Sequence, residues 1–113
     1  DRGRMAIRDR AKDMIKSGGE WISSLALERA IGDFPEIEGC AVVGRPDDRW
    51  GERPVVFVRL HDGTSLDLET LRARLAPDFE AWQCPDDLLL VESIPLTSTG
   101  KIDKKVLRAG LRP

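Results

Sequence analysis

Lys101 stands in a setting suited to chemistry. It ends a run of small polar residues, Thr97-Ser98-Thr99-Gly100-Lys101, that lies between Ile94-Pro95-Leu96 and a segment able to form a helix from Asp103 onward. A loop of this composition has the backbone freedom to carry a long cation into a pocket built elsewhere, because glycine tolerates angles other residues resist. A nucleotide-cradling P-loop would need an earlier glycine and a Ser or Thr directly after the lysine. Pro95 and Ile102 occupy those two places, so that reading fails. A second candidate segment is Ser17-Gly18-Gly19-Glu20, where paired glycines favour either a turn or a close approach of backbone to a ligand. Trp50 and Trp82 are further candidates, since aromatic faces can stack on a nucleobase; packing in the core is the competing use of each.

The elements that must position these residues can be read along the chain. Ser23 or Ser24 can cap a helix through about Asp33, in which Leu27, Ala30, Ile31 and Phe34 recur at helical spacing. Ile37 to Val43 and Val55 to Leu60 are β-rich and able to pair as a hairpin, joined by a polar connection from Gly44 to Pro54. Asp67 to Leu75 gives a second helix stopped by Pro77, Leu88 to Val91 a short strand, and Asp103 a cap for a last helix with Val106, Leu107 and Leu111 as its apolar residues. Met5-Ala6-Ile7-Arg8 and Met14-Ile15-Lys16 read as a two-stranded ribbon at the start. The expected fold is α+β: a small domain with an N-terminal two-stranded ribbon and a central short sheet covered by helices.

Size and charge bound the function. The 113 residues form one domain able to bury a real core, and a net charge of −2 gives no electrostatic case for nucleic acid or an anionic membrane. Cys40 and Cys84 lie far apart without metal-like or redox spacing, so no metal site is expected and the thiols read as reduced, in a cytoplasmic protein. No run of about 18 apolar residues is present to span a bilayer.

Two stretches, Asp9 to Ile22 and Pro95 to Arg108, occur in order and at a separation that resembles the C-terminal domain of the adenylate-forming superfamily. That superfamily includes acyl-CoA synthetases, nonribosomal-peptide adenylation domains and luciferase. The resemblance implies a lid domain, residues 1–113, that works with a larger N-terminal AMP-binding domain not contained in this sequence. It implies ATP, with its Mg2+, and CoA as the small molecules used, and a carboxylic acid, a fatty acid on the overall wording of the motifs, as substrate. It gives Lys101 the role of the adenylation lysine and makes Arg10 a ligand of the ATP ribose or phosphates. Lys12 falls at the hinge about which the domain pivots, and Lys16 at a position used in the second half-reaction. Gly18, Gly19 and Glu20 would line the pantetheine channel, and Trp50, with Trp82, would meet the CoA adenine. One departure bears on CoA phosphate contacts: Gln83-Cys84-Pro85 stands where many relatives carry a basic residue before the proline. Two other readings remain open, an adenylation domain that loads a carrier protein and a non-catalytic interaction module that kept the fold.

Overall fold

The computed structural model describes residues 14–109 and 111. Strands β1 (Met14–Ser17) and β2 (Glu20–Ser23) are followed by helix α1 (Ser24–Gly32), strands β3 (Ile37–Asp47) and β4 (Gly51–Leu60), helix α2 (Leu68–Leu75), strand β5 (Asp87–Leu90) and helix α3 (Lys104–Ala109). A single 3-10 turn, Ala81–Gln83, lies between α2 and β5.

β4 organises the sheet. Along one edge it pairs antiparallel with β3 from Ile37 opposite Leu60 to Asp47 opposite Gly51. Its other edge is shared: Ser17 of β1 pairs with Gly51, and β5 runs parallel alongside Val55 to Val58. A parallel neighbour needs a long crossover, which the α2 segment supplies. The apolar side chains of β3 and β4 alternate between two cores. Val42, Val56 and Val58 meet Leu27, Ile31, Leu71 and Leu75 on one face. Ala41, Val43 and Phe57 meet Leu107 on the other. Both faces are therefore covered, which explains why Ala41-Val42-Val43 and Val55-Val56-Phe57-Val58 read as unbroken apolar runs rather than as alternation.

The helices begin where capping chemistry allows. Ser23 Oγ accepts the Ala26 N–H at 3.1 Å, and the Asp67 carboxylate accepts the Thr70 N–H at 2.7 Å. Leu27 and Ile31 of α1, one helical turn apart and fully buried, each contribute about 1.5–3 kcal/mol of burial. Asp103 accepts the Val106 N–H at the start of α3, as its sequence position suggested.

The α+β architecture expected from the sequence is the one observed; one strand of the expected ribbon lies outside the described residues, and two details differ. Met5 to Arg8 lies outside the described residues, and Met14–Ser17 pairs forward with Glu20–Ser23, because two glycines with φ of 60° and 86° make the two-residue turn that hairpins favour. β3 and β4 extend through most of the segment read as a polar connection, leaving a turn of only Asp48, Arg49 and Trp50. Val106 is 55% exposed and is not a core contact of α3.

Candidate functional site

The lysine loop is a closed hairpin. Leu96 and Ile102 pair across it as an antiparallel bridge, the Thr97 N–H donates to the Lys101 carbonyl at 2.7 Å, and the Asp103 N–H donates to the Pro95 carbonyl at 2.8 Å. Inside the loop the Gly100 N–H donates to the Thr97 carbonyl and the Lys101 N–H to Thr97 Oγ1. Gly100 has a φ of 86°, so the loop closes through a backbone conformation that glycine adopts without strain. Ile102 packs into the second core, while Lys101 itself is exposed at the loop's end. The loop thus has a fixed base and presents its cation to solvent.

The glycine turn is docked against the β3–β4 turn. The Gly18 N–H donates to the Trp50 carbonyl at 2.7 Å, and a Cβ placed on Gly18 would meet the Trp50 ring at 2.7 Å. The bare α-carbon is therefore what lets the indole lie on the turn. Gly19 and Glu20 are exposed, with open space around Gly19. Lys16 points outward with its ammonium 5.4 Å from the Trp21 ring, and its N–H donates to the Glu52 carboxylate.

Beside this turn is a shallow hollow of about 320 Å³ lined by Trp50, Arg53, Arg72, Ala81, Trp82 and Asp86. The structure brings together the two tryptophans that the sequence could only single out separately. Trp82 divides its surface between the hollow and the first core, so its core-packing reading holds in part. Two arginines in the wall had no place among the sequence candidates. Arg53 is only 6% exposed; its guanidinium grips Asp86 bidentately at 2.9 and 2.7 Å and donates to Ser17 Oγ and to the carbonyls of Trp82 and Cys84. It also lies 5.6 Å from the Trp50 ring. Arg72 donates to the Pro85 carbonyl at 2.8 Å. The available signal for Arg53 was its place two residues before the apolar run Val55-Val56-Phe57-Val58: had β4 been extended backward, a buried arginine in need of partners would have been visible. The lysine loop contributes none of the six residues lining this hollow.

The cysteines are passive. Burial, then the nearby Glu28 carboxylate, push the Cys40 thiol up to about 11, and burial raises that of Cys84. Neither supplies thiolate near neutral pH. Among the described residues no group of three or more His, Cys, Asp and Glu is arranged to hold a metal, and no helix is long and apolar enough to cross a membrane. Arg10 and Lys12 lie outside the described residues.

Residues 26–101 match the model of the AMP-binding enzyme C-terminal domain. The chain belongs to that family. It is 44% identical over 97% of its length to a 3-methylmercaptopropionyl-CoA ligase of Ruegeria pomeroyi, and 43% identical over 96% to a long-chain-fatty-acid–CoA ligase of Thermus thermophilus. It spans 20% of the length of each. Among solved structures, an amide bond synthetase from Marinactinospora thermotolerans superposes with a TM-score of 0.82 at 33% identity, over 87% of this chain and 20% of that one. The matched stretch ends at Lys101, the residue the sequence singled out first.

Proposed function

We propose that this AMP-binding C-terminal domain is the lid of an AMP-forming acyl-CoA ligase, and that residues 1–113 form one such unit working with an N-terminal AMP-binding domain. The observation that carries the reading is the lysine loop: a family domain whose exposed Lys101 is held on a closed, two-ended base. In the first half-reaction a carboxylate oxygen attacks the α-phosphorus of ATP and the bond to pyrophosphate breaks. Both partners are anionic, so a cation held where they meet lowers the barrier by positioning and by compensating charge as it develops. Lys101 is that cation, Arg10 a further ATP contact, and Mg2+ enters with the triphosphate. In the second half-reaction the CoA sulfur attacks the acyl carbon and AMP leaves.

The residues around Trp50 fit the nucleotide end of CoA in chemical type. Two indole faces and the Arg72 guanidinium offer stacking and anion contacts, and the Gly18-Gly19-Glu20 turn, beside Trp50, offers side-chain-free backbone to a thin pantetheine arm. Arg53 keeps its donors inside the protein and serves as the frame of this hollow. Lys16, beside the turn, would act in the same half-reaction. The Thermus relative supports a fatty acid as substrate, and the Ruegeria relative extends the range to a thioether-bearing acid; selection between them belongs to the N-terminal domain.

The test is a split phenotype in the full-length protein. Lys101→Ala should lower adenylate formation, read as ATP–pyrophosphate exchange, by about 10²- to 10³-fold, the usual effect of removing one stabilising donor. Thioester formation from supplied acyl-adenylate should survive. Equal loss in both half-reactions would remove the assigned role. The likeness to an amide bond synthetase makes the acceptor a separate point, settled by offering CoA, a phosphopantetheinylated carrier or an amine to the enzyme-bound adenylate.

A further inference from the structure

The base of the lysine loop is tied to the opposite face of the sheet by a buried ion pair. Lys104, the first residue of α3, places its ammonium 2.9 Å from Glu28 Oε2 on α1 and donates to Ser24 Oγ at 3.2 Å. The same Glu28 oxygen accepts the Val42 N–H of β3 at 2.7 Å. The two charged side chains are only 15% and 13% exposed. Since α1 packs on one face of the sheet and α3 on the other, the pair closes around the β3 edge like a clasp.

Among the described residues, α3 itself is short. The helix has six residues, of which Leu107 alone is buried, and so short a helix has no stability of its own. Between Lys101 and Lys104 stand only Ile102, bridged to Leu96, and Asp103, whose N–H donates to Pro95. Apolar contacts at Ile102 and Leu107 tolerate small slides; a buried ammonium held between a carboxylate and a hydroxyl does not. An ion pair taken largely out of water is a weak source of net stability, and defining geometry is one use such pairs have.

We infer that Lys104 and Glu28 are positioning residues for Lys101: their ion pair fixes where the lysine loop starts and hence where the Lys101 ammonium arrives. The inference rests on the proposed role of Lys101 in adenylation. Neither residue needs to touch a substrate. A reacting group misplaced by about 1 Å can lose on the order of 10²-fold in rate, so the clasp acts on the step that uses Lys101 and leaves the other alone.

The experiment compares four variants of the full-length ligase, Lys101→Ala, Lys104→Met, Lys104→Arg and Glu28→Gln, in both half-reactions. Lys104→Met should lower adenylation about 10- to 100-fold while leaving thioester formation from supplied acyl-adenylate within about threefold. Lys104→Arg, which can still reach the carboxylate, should recover most of that loss. Glu28→Gln keeps an acceptor for the Val42 N–H, so it folds, and should show the same bias at smaller size. Parallel loss in both half-reactions, or failure of arginine to rescue, would overturn the positioning role and leave a structural one. Loss in Lys101→Ala without loss in Lys104→Met would overturn it while sparing the role of Lys101. An active Lys101→Ala would overturn both.

Discussion

Gly18 and Gly19 have φ of 60° and 86°, yet their surroundings differ. A methyl on Gly18 would collide with the Trp50 ring, whereas nothing lies within 4 Å of one on Gly19. Alanine at either site carries the left-handed strain of about 1 kcal/mol. At Gly18 the indole must also move, and with it the contacts of the Arg49 and Arg53 guanidinium groups, 6.0 and 5.6 Å from the ring centre. Gly18→Ala should therefore destabilise by about 2–3 kcal/mol and Gly19→Ala by about 1 kcal/mol, measured by denaturant unfolding. Only the first should change Trp50 emission when Trp21 and Trp82 are replaced by Phe. Equal destabilisation and unchanged emission would mean that the ring does not rest on the glycine. The same contact links stability to function: if Trp50 serves the thiol-bearing substrate, the thioester step should weaken in Gly18→Ala more than in Gly19→Ala.

Among the elements, the joint between β1, β4 and the segment before β5 depends on Arg53. Its three guanidinium nitrogens hold Ser17 at the end of β1, Asp86 at the approach to β5, and the carbonyls of Trp82 and Cys84. Arg53→Met would fill similar space and strand all of these acceptors. Asp86 is one-third exposed and can turn to water, so a loss of about 2–4 kcal/mol is expected in thermal or urea unfolding. Arg53→Lys should recover little, because an ammonium cannot span the same fork of acceptors. A loss below about 1 kcal/mol for Arg53→Met would show that the joint is held by packing. This joint also marks where sequence reading stopped. α1 and α2 were legible because cap and period agree: Ser23 with Leu27 and Ile31, Asp67 with Leu71 and Leu75. The middles of β3 and β4 were legible because both faces are buried. Their facing ends were not, since Arg45, Pro46, Glu52 and Pro54 carry turn-like or charged chemistry that only tertiary pairing overrides. The lysine loop and glycine turn were legible as motifs. The meeting of Trp50 with Trp82, and of Glu28 with Lys104, joins residues too distant along the chain for any local pattern to announce.

For the molecule as a whole, the two candidate loops are rooted at opposite ends of β4. The glycine turn docks at the Gly51 end through Trp50 and Ser17. β5 delivers the chain toward the lysine loop at the other end, where the Val91 N–H donates to the Val58 carbonyl and Ile94 reaches Gly39. The ten residues of β4 span roughly 30 Å between these two ends. Neither loop can travel that distance alone, because each is closed by its own backbone hydrogen bonds. If one site performs both half-reactions, the domain must turn as a body, and the turn must occur outside the packed unit. By the resemblance to the adenylate-forming superfamily, Lys12, two residues before Met14 in the sequence, is the proposed pivot. Lys12→Pro would fix its φ near −65° and restrict the residue before it, making one orientation harder to reach. In the full-length enzyme this substitution should slow thioester formation by at least about tenfold while changing adenylation much less, since a hinge variant alters the conformational step rather than the chemistry. Single-turnover measurements with acyl-adenylate formed in place separate the two. Thioester formation at the unaltered rate would place the pivot elsewhere, and equal slowing of both steps would mean that residue 12 supports the domain's docking rather than its rotation.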